Sequence, residues 1–223
     1  MTVQHGPGRF DAVVLGGSAG SLKALLEILP RLPGDFPWPL LIVVHLHPRQ
    51  EGGFVELLDQ RCSLRVKEAE DKESPAPGHV YFAPADYHLL LEPDQTLSLS
   101  AEEKVRFSRP SIDVLFESAA QACRSRLMGV ILSGTGNDGA EGLCRISGQG
   151  GRSVVQDPAG AEHPAMPQAA LDALAALGVG GPDHVLDLGG IIELLASLAE
   201  EAIGWATGAA GAQAPGTRGG GRP

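Results

Sequence analysis

Short apolar runs recur along the chain, and glycine or proline follows each of them closely. The first run covers residues 12–15, the second covers residues 40–46 with one histidine near its end, and the third covers residues 128–132. Runs of this length with turn residues at their ends are typical of strands buried on both faces of a sheet. We therefore predict a parallel sheet built around these strands.

The segments between the runs repeat apolar residues at the spacing of one helix face. After the first run, Leu22, Leu25, Leu26 and Leu29 recur every three or four positions. A strand, a helix and a second strand in this order form a βαβ unit with a right-handed crossover. The pattern predicts an α/β fold with a doubly wound, mostly parallel sheet and helices on both faces. Further helices are predicted near residues 53–62, 111–123, 167–176 and 191–203, with another that ends near residue 147, and a further strand at residues 153–156.

The middle of the chain has a different pattern. Residues 88–92 and 96–100 are short strand-like segments, and Pro93, Asp94 and Gln95 separate them. Two such segments joined by a short turn predict an antiparallel hairpin. We place this hairpin within the parallel sheet or at its edge.

The composition is that of a globular protein. Of the 223 residues, 43% are hydrophobic and 20% are charged. With 17 basic and 27 acidic residues the formal charge is −10, which argues against a nucleic-acid partner because phosphate binding needs a basic face. We predict an N-terminal extension at residues 1–10, one domain at residues 11–204, and a flexible glycine- and alanine-rich tail at residues 205–223.

The cellular compartment is predicted from the cysteines and from the lack of long apolar segments. Cys62, Cys123 and Cys144 are odd in number and form no C-x-x-C pair, so free thiols in a reducing compartment are expected. The spacing of the cysteines does not exclude a cysteine nucleophile, although Cys123 falls within an apolar helical pattern. The N-terminus lacks an apolar signal core, and no uncharged run is long enough to cross a bilayer. We expect a cytoplasmic protein without direct membrane insertion.

Residues 16–20 read Gly-Gly-Ser-Ala-Gly between the first predicted strand and helix. This G-x-S-x-G pattern fits a nucleophile elbow, in which a sharp turn exposes a serine hydroxyl at the strand tip. Two other interpretations remain open from the pattern alone. The turn could hold the phosphate of a small nucleotide, although it is neither G-x-G-x-x-G nor a Walker motif, or Ser18 could cap the helix.

Three polar side chains follow three of the predicted buried strands. Ser18, His45 and Asp138 supply a hydroxyl, an imidazole and a carboxylate. Because the carboxyl ends of parallel strands meet along one edge, these groups could form a nucleophile, a general base and an orienting group. Taken alone, Asp138 could instead be a helix cap, and His45 with His47 could suggest a metal pair. No third ligand is evident, so no metal and no cofactor are expected.

Five motifs in this order resemble the catalytic domain of CheB, the chemotaxis receptor methylesterase that is also a glutamine deamidase. The resemblance covers roughly residues 11–199. The motifs are Gly-Gly-Ser-Ala-Gly-Ser at residues 16–21, the strand ending in His45, Tyr-Phe-Ala-Pro at residues 81–84 with His88, Arg-Pro-Ser-Ile-Asp at residues 109–113, and Gly-Thr-Gly-Asn-Asp-Gly at residues 134–139.

The resemblance implies hydrolysis of γ-glutamyl methyl esters on the signalling helices of methylated chemoreceptors, with release of methanol. By motif position Ser18 is the nucleophile, His45 the general base and Asp138 the carboxylate that orients the imidazole. Backbone N–H groups at Ala19, Thr135 and Gly136 are candidates for the oxyanion hole. His88 and Arg109 are candidates for the substrate surface.

The chain departs from the family pattern at several positions. Ala19 and Ser21 stand where the family commonly has threonine and glycine, and Thr135 stands where methionine is usual. The residues after His45 also differ, which bears on the substrate surface. CheB proteins usually carry an N-terminal receiver domain, and we expect a stand-alone domain not controlled by phosphorylation. The alternatives are an inactive interaction module in a signalling complex and a small-nucleotide binder.

Overall fold

The computed structural model describes residues 10–45, 53–178 and 181–207. Strands and helices alternate along most of this range. The strands are β1 (Ala12–Gly17), β2 (Leu40–Val44), β3 (Arg65–Glu68), β4 (His79–Phe82), β5 (His88–Leu91), β6 (Leu97–Ser100), β7 (Leu127–Ile131), β8 (Arg152–Gln156) and β9 (His184–Leu186). The helices are α1 (Ser21–Ile28), α2 (Phe54–Arg61), α3 (Ile112–Cys123), α4 (Ala140–Gly148), α5 (Ala165–Ala176) and α6 (Leu188–Ala206).

The main sheet has seven strands in the order β3-β4-β2-β1-β7-β8-β9. Every strand pair in it is parallel. Strand β1 is central and buried along its whole length, as its continuous apolar sequence predicts. The turn into the first helix therefore lies in the middle of the carboxyl edge of the sheet.

Hydrophobic layers cover both faces of this sheet. Val13 and Leu15 pack on one face among side chains of α1, α2 and α6. Ala12 and Val14 point to the other face, where α3, α4 and α5 cover them. Each leucine or valine fully buried in this way stabilises the fold by about 1.5–3 kcal/mol. The predicted doubly wound architecture is confirmed.

The predicted antiparallel hairpin is present as β5 and β6, which pair from His88 with Ser100 to Leu91 with Leu97. It forms a separate sheet of two strands and does not extend the parallel sheet. Its buried leucines join the hydrophobic layer that contains Phe116 of α3. The hairpin therefore supports α3.

Other elements differ from the sequence prediction. The edge strands β3 and β9 were not predicted, because β3 buries only Val66 and β9 has no fully buried residue. Helix α6 begins earlier than predicted, where the Asp187 carboxylate accepts a hydrogen bond from the Gly190 N–H at 2.8 Å. The predicted tail lies mostly at residues 208–223, outside the described residues. None of the described helices has the length and apolar character needed to span a bilayer.

Candidate active site

Strand register brings Ser18 next to His45. Gly17 of β1 pairs with Val44 of β2, and the His45 N–H donates to the Gly17 carbonyl at 3.1 Å. On the other side of β1, the Ser18 N–H donates to the Ser133 carbonyl at 3.0 Å. Ser18 therefore leaves the sheet between the ends of β2 and β7.

The turn after Ser18 is held by hydrogen bonds from both sides. The backbone N–H of Ser21 donates to the Ser18 carbonyl at 3.0 Å, and the Ser133 hydroxyl donates to the Ala19 carbonyl at 2.9 Å. Gly20 precedes α1 with φ +80°, a left-handed backbone that favours glycine. No side chain caps α1, and the Ser18 hydroxyl makes no hydrogen bond to another described residue. The helix-cap interpretation of Ser18 is therefore wrong.

His45 and Asp138 are joined directly by a hydrogen bond. The distance from His45 Nε2 to Asp138 Oδ2 is 2.8 Å. The His45 side chain is 19% exposed and the Asp138 side chain 5% exposed. Because a carboxylate only accepts, Nε2 carries the proton and Nδ1 is left as the accepting nitrogen of the neutral ring. Nδ1 is therefore the nitrogen available to take up a proton.

The Asp138 carboxylate lies at the N-terminus of α3. It accepts hydrogen bonds from the Ser111 hydroxyl at 2.9 Å, the Ile112 N–H at 2.8 Å and the Asp113 N–H at 3.0 Å. Burial favours the neutral acid, but the hydrogen bonds from His45 and from these N–H groups outweigh it and lower the pKa of Asp138. Asp138 thus caps α3 and not its own helix, and it remains ionised beside His45.

Asp113 has a structural role that sequence reasoning missed. Its Oδ1 atom accepts hydrogen bonds from the N–H groups of Gly139 and Gly142, at 2.9 and 2.8 Å, at the start of α4. Its Oδ2 atom lies 2.9 Å from Arg106 Nε. Burial raises the pKa of Asp113 to about 6; the Gly142 N–H and Arg106 oppose this rise, and the nearby Asp138 charge adds to it.

His88 is not on the surface, which corrects its assignment as a substrate-surface residue. It is 2% exposed, and its Nδ1 atom accepts a hydrogen bond from the Ser111 N–H at 3.1 Å. Its Nε2 atom donates to the Glu103 carbonyl at 3.1 Å. His88 therefore supports the residue that binds Asp138, one step away from the site.

Arg109 lies in the wall of the cleft that opens beside His45. Its guanidinium donates to the carbonyls of Ala101 and Glu102 at 2.8 and 2.9 Å. These bonds fasten the loop before α3. The position is compatible with its assignment to the substrate surface.

The candidate oxyanion donors lie in two loops beside Ser18. Thr135 and Gly136 are exposed. Their N–H groups and that of Ala19 donate to no acceptor among the described residues. The Gly134 N–H is already bonded to the His163 carbonyl at 3.0 Å, so it is not available. Gly134 also lies close to Ser18, since a Cβ atom built on it would be 3.0 Å from Ser18 Cβ.

The cleft beside His45 has a volume of about 510 Å³. Apolar and charged side chains share its walls. The apolar ones include Phe54, Phe82 and Phe107, and the charged ones are Glu56, Glu68, Asp86, Lys104 and Arg109. The excess of carboxylates favours a neutral substrate group over an anionic one.

The other sequence-based interpretations gain no support from the site. Burial raises the pKa of Cys62 and of Cys123 to about 11, so neither thiol is a ready nucleophile. Within the described residues, no three His, Cys, Asp or Glu side chains come together as a metal site, and His47 lies outside those residues. A Cβ atom on Gly20 would lie 3.4 Å from the Glu162 carboxyl carbon, so an acidic group adjoins the turn where a nucleotide phosphate would bind.

Known proteins resemble this chain in sequence and in fold. The sequence model of the CheB methylesterase family matches residues 13–189. The chain belongs to the CheB methylesterase family. The Thermotoga maritima CheB methylesterase catalytic domain has 34% sequence identity and superposes with a TM-score of 0.77, covering 85% of this chain and 98% of that domain. The resemblance and the fold expected from it are confirmed.

Curated relatives carry the same family names. A Leptospira interrogans protein, provisionally assigned as a protein-glutamate methylesterase/protein-glutamine glutaminase, is 47% identical over 189 residues, which are 85% of this chain and 95% of that protein. The Bordetella parapertussis protein-glutamate methylesterase/protein-glutamine glutaminase is 39% identical over 81% of this chain and 51% of its own length. The Myxococcus xanthus protein-glutamate methylesterase FrzG is 39% identical over 74% of this chain and 49% of its own length. The chain therefore spans nearly all of the first relative and about half of the other two.

Proposed function

We propose that the chain is a serine hydrolase that demethylates γ-glutamyl methyl esters on chemoreceptor-type signalling proteins. Ser18 is the nucleophile, His45 the general base and Asp138 the carboxylate that orients the base. The observation that carries this proposal is the 2.8 Å hydrogen bond between His45 Nε2 and Asp138 Oδ2. His45 directly follows β2, whose end pairs with the end of β1, and Ser18 directly follows β1. The names of the relatives support the same substrate class.

The reaction proceeds in two halves through an acyl-enzyme. Ser18 Oγ attacks the ester carbonyl carbon while His45 Nδ1 takes the hydroxyl proton, and a tetrahedral oxyanion forms. Collapse of this intermediate breaks the bond to the methoxy oxygen, which receives the proton from His45 and leaves as methanol. Water then attacks the acyl-enzyme with His45 again as the base, and the products are the γ-carboxylate and free Ser18.

Each neighbouring group has a defined contribution to these steps. The ionised Asp138 stabilises the imidazolium that forms when Nδ1 takes the proton. N–H groups of Ala19, Thr135 and Gly136 are proposed to bind the oxyanion, because donors aimed at developing charge give a large share of catalysis. A glutamine side chain presents the same acyl carbon, with ammonia as the leaving group, so deamidation belongs to the same proposal.

The test is methanol release from a methylated chemoreceptor signalling domain. We expect the parent protein to release methanol and Ser18→Ala to be slower by about 10⁴-fold or more. Ser147→Ala is the matched control, because Ser147 lies near the end of α4, away from the carboxyl edge of the sheet. Binding of the receptor without methanol release from the parent would instead support the interaction module and overturn the proposal.

A further inference from the structure

A tight turn at the rim of the cleft has an unusual backbone. The N–H of Val105 donates to the Ser108 carbonyl at 3.2 Å, and the N–H of Ser108 donates back to the Val105 carbonyl at 2.9 Å. Between them, Arg106 has φ +49° and Phe107 has φ +66°. Two consecutive positive φ angles are typical of hairpin turns that favour asparagine and glycine. For other residues this backbone costs roughly 1–2 kcal/mol per residue.

Ion pairs to two helices hold this turn in place. The Arg106 guanidinium bonds Asp113 of α3 through Nε, at 2.9 Å, and Glu141 of α4 through Nη2, at 2.5 Å. Both carboxylates belong to the helix starts beside the catalytic carboxylate. The turn is therefore anchored to the same elements that position Asp138.

The anchored turn presents Phe107 to solvent. The residue is 96% exposed, the highest value among the large apolar residues that the structure describes. An aromatic side chain held out of the core gains nothing from burial in the isolated chain. A strained backbone that is kept in place by its surroundings is a feature of binding and catalytic sites.

Phe107 and His45 line the same cleft. The volume of this cleft is about 510 Å³. A methyl ester group has four heavy atoms and needs roughly 120 Å³, if each takes about the 30 Å³ of a water molecule. The cleft therefore has room for side chains of the substrate polypeptide that neighbour the ester.

We propose that Phe107 is an apolar anchor for the protein substrate, binding an apolar side chain that lies within one helical turn of the esterified glutamate. This inference rests on the proposed function and adds a specificity-determining residue to it. A protein substrate that reaches the rim buries this exposed aromatic ring and gains binding energy from it. A small ester occupies only the region near His45 and does not gain this energy. Aromatic residues, phenylalanine included, are enriched at protein interfaces.

The test uses two helical peptides with one γ-methyl-glutamate each. One peptide has leucine four residues from the ester, which places the two on one helix face, and the other has alanine there. We expect the parent to prefer the leucine peptide by about tenfold in kcat/KM, which corresponds to about 1.4 kcal/mol. We expect Phe107→Ala to lose this preference and Phe107→Leu to keep most of it.

The matched control is Trp205→Ala. Trp205 is 63% exposed and lies with Asp11 and Trp38 at the amino ends of the strands, far along the sheet from His45. We expect this variant to keep the full preference for the leucine peptide. A Phe107→Ala protein that prefers the leucine peptide as strongly as the parent would overturn the inference.

A binding measurement separates this inference from the proposed function. In the Ser18→Ala background, removal of the Phe107 ring should weaken binding of the leucine peptide by about tenfold, by the same arithmetic. This result is independent of turnover. Absence of methanol release from the parent counts against the proposed function, whereas equal affinities with and without the ring count against the anchor alone.

Discussion

Asp138 caps α3, the helix that contains Asp113, and Asp113 in turn caps α4, the helix that follows Asp138. Asp138, which precedes α4, accepts the Ile112 and Asp113 N–H groups at the start of α3. Asp113, in the first turn of α3, accepts the Gly139 and Gly142 N–H groups at the start of α4. An anionic cap stabilises each of these two helices, because the N-terminus of a helix carries partial positive charge. The exchange ties Asp138 to two helices at once.

Asp138→Asn should nearly abolish methylesterase activity while the fold is kept. The asparagine side chain has a similar shape but no charge, and its NH₂ group cannot accept a hydrogen bond from His45 Nε2–H. The imidazole therefore loses its preferred tautomer. In a triad of this kind we expect kcat to fall by about 10⁴-fold. Methanol release measures the loss, and a circular dichroism spectrum like that of the parent checks the fold. Retention of more than a tenth of the parent kcat would contradict the role of Asp138.

Asp113 should make the protein more stable in mild acid. Its pKa is about 6 in the folded chain, against an ordinary value of 3.8, so the folded state binds the proton more tightly than the unfolded state does. This contribution is fully present below the ordinary value and is lost as the pH rises through about 6. Relative to Asp113→Asn, the parent should gain about 2 kcal/mol of unfolding free energy between pH 6 and pH 4.

Urea unfolding of both proteins across this pH range measures the difference. The comparison is made between variants because Asp138, whose pKa is lowered, acts in the opposite direction and is lost as the pH falls. Asp138 is unchanged in Asp113→Asn, so most of its effect cancels. A difference between the two proteins that does not change with pH would show that folding does not raise the pKa of Asp113.

The sequence predicts the centre of this fold better than its edges. Strands β1, β2 and β7 are continuous apolar runs because both of their faces are buried. Strand β3 reads Arg-Val-Lys-Glu, since an edge strand buries only one of its side chains. Burial on both faces leaves a clear pattern in the sequence, and burial of a single residue does not.

The positions of the candidate site residues were predictable where these residues follow a strand, and unpredictable where they depend on packing between helices. Ser18, His45 and Asp138 could be placed at one edge from strand order alone. The roles of Asp113 and His88 depend on how α3 meets α4 and the β5–β6 hairpin, which no local pattern encodes. The choice of His45 Nε2 as the nitrogen facing Asp138 is likewise set by tertiary geometry.

His88→Ala should reduce stability more than it reduces substrate affinity. The change removes the acceptor of the buried Ser111 N–H, and an unsatisfied buried donor costs about 1–3 kcal/mol. We expect that loss in the free energy of unfolding, with KM for the methylated receptor within about twofold of the parent value. His79→Ala is the matched control, because the ring of His79 donates to the nearby Pro77 carbonyl and stacks on Tyr81 without accepting a hydrogen bond from any described buried N–H group. A tenfold rise in KM with unchanged stability would restore His88 to the substrate surface.

Carboxylates in the cleft should favour release of the acidic product. Glu68 and Asp86 line the cleft beside His45, where demethylation converts a neutral ester into an anion. At separations near 8 Å in water, each like charge disfavours the anion by about 0.5 kcal/mol, or roughly twofold in affinity.

The double variant Glu68→Gln/Asp86→Asn should therefore bind the demethylated peptide about fourfold more tightly, with little change in KM for the ester. Product-inhibition constants at low salt measure this effect. The double variant Glu200→Gln/Glu201→Gln on α6 serves as the control, because it removes the same two charges from exposed positions outside the cleft. If the control shifts product inhibition as much as the cleft variant, the net charge of the protein and not the cleft governs product release.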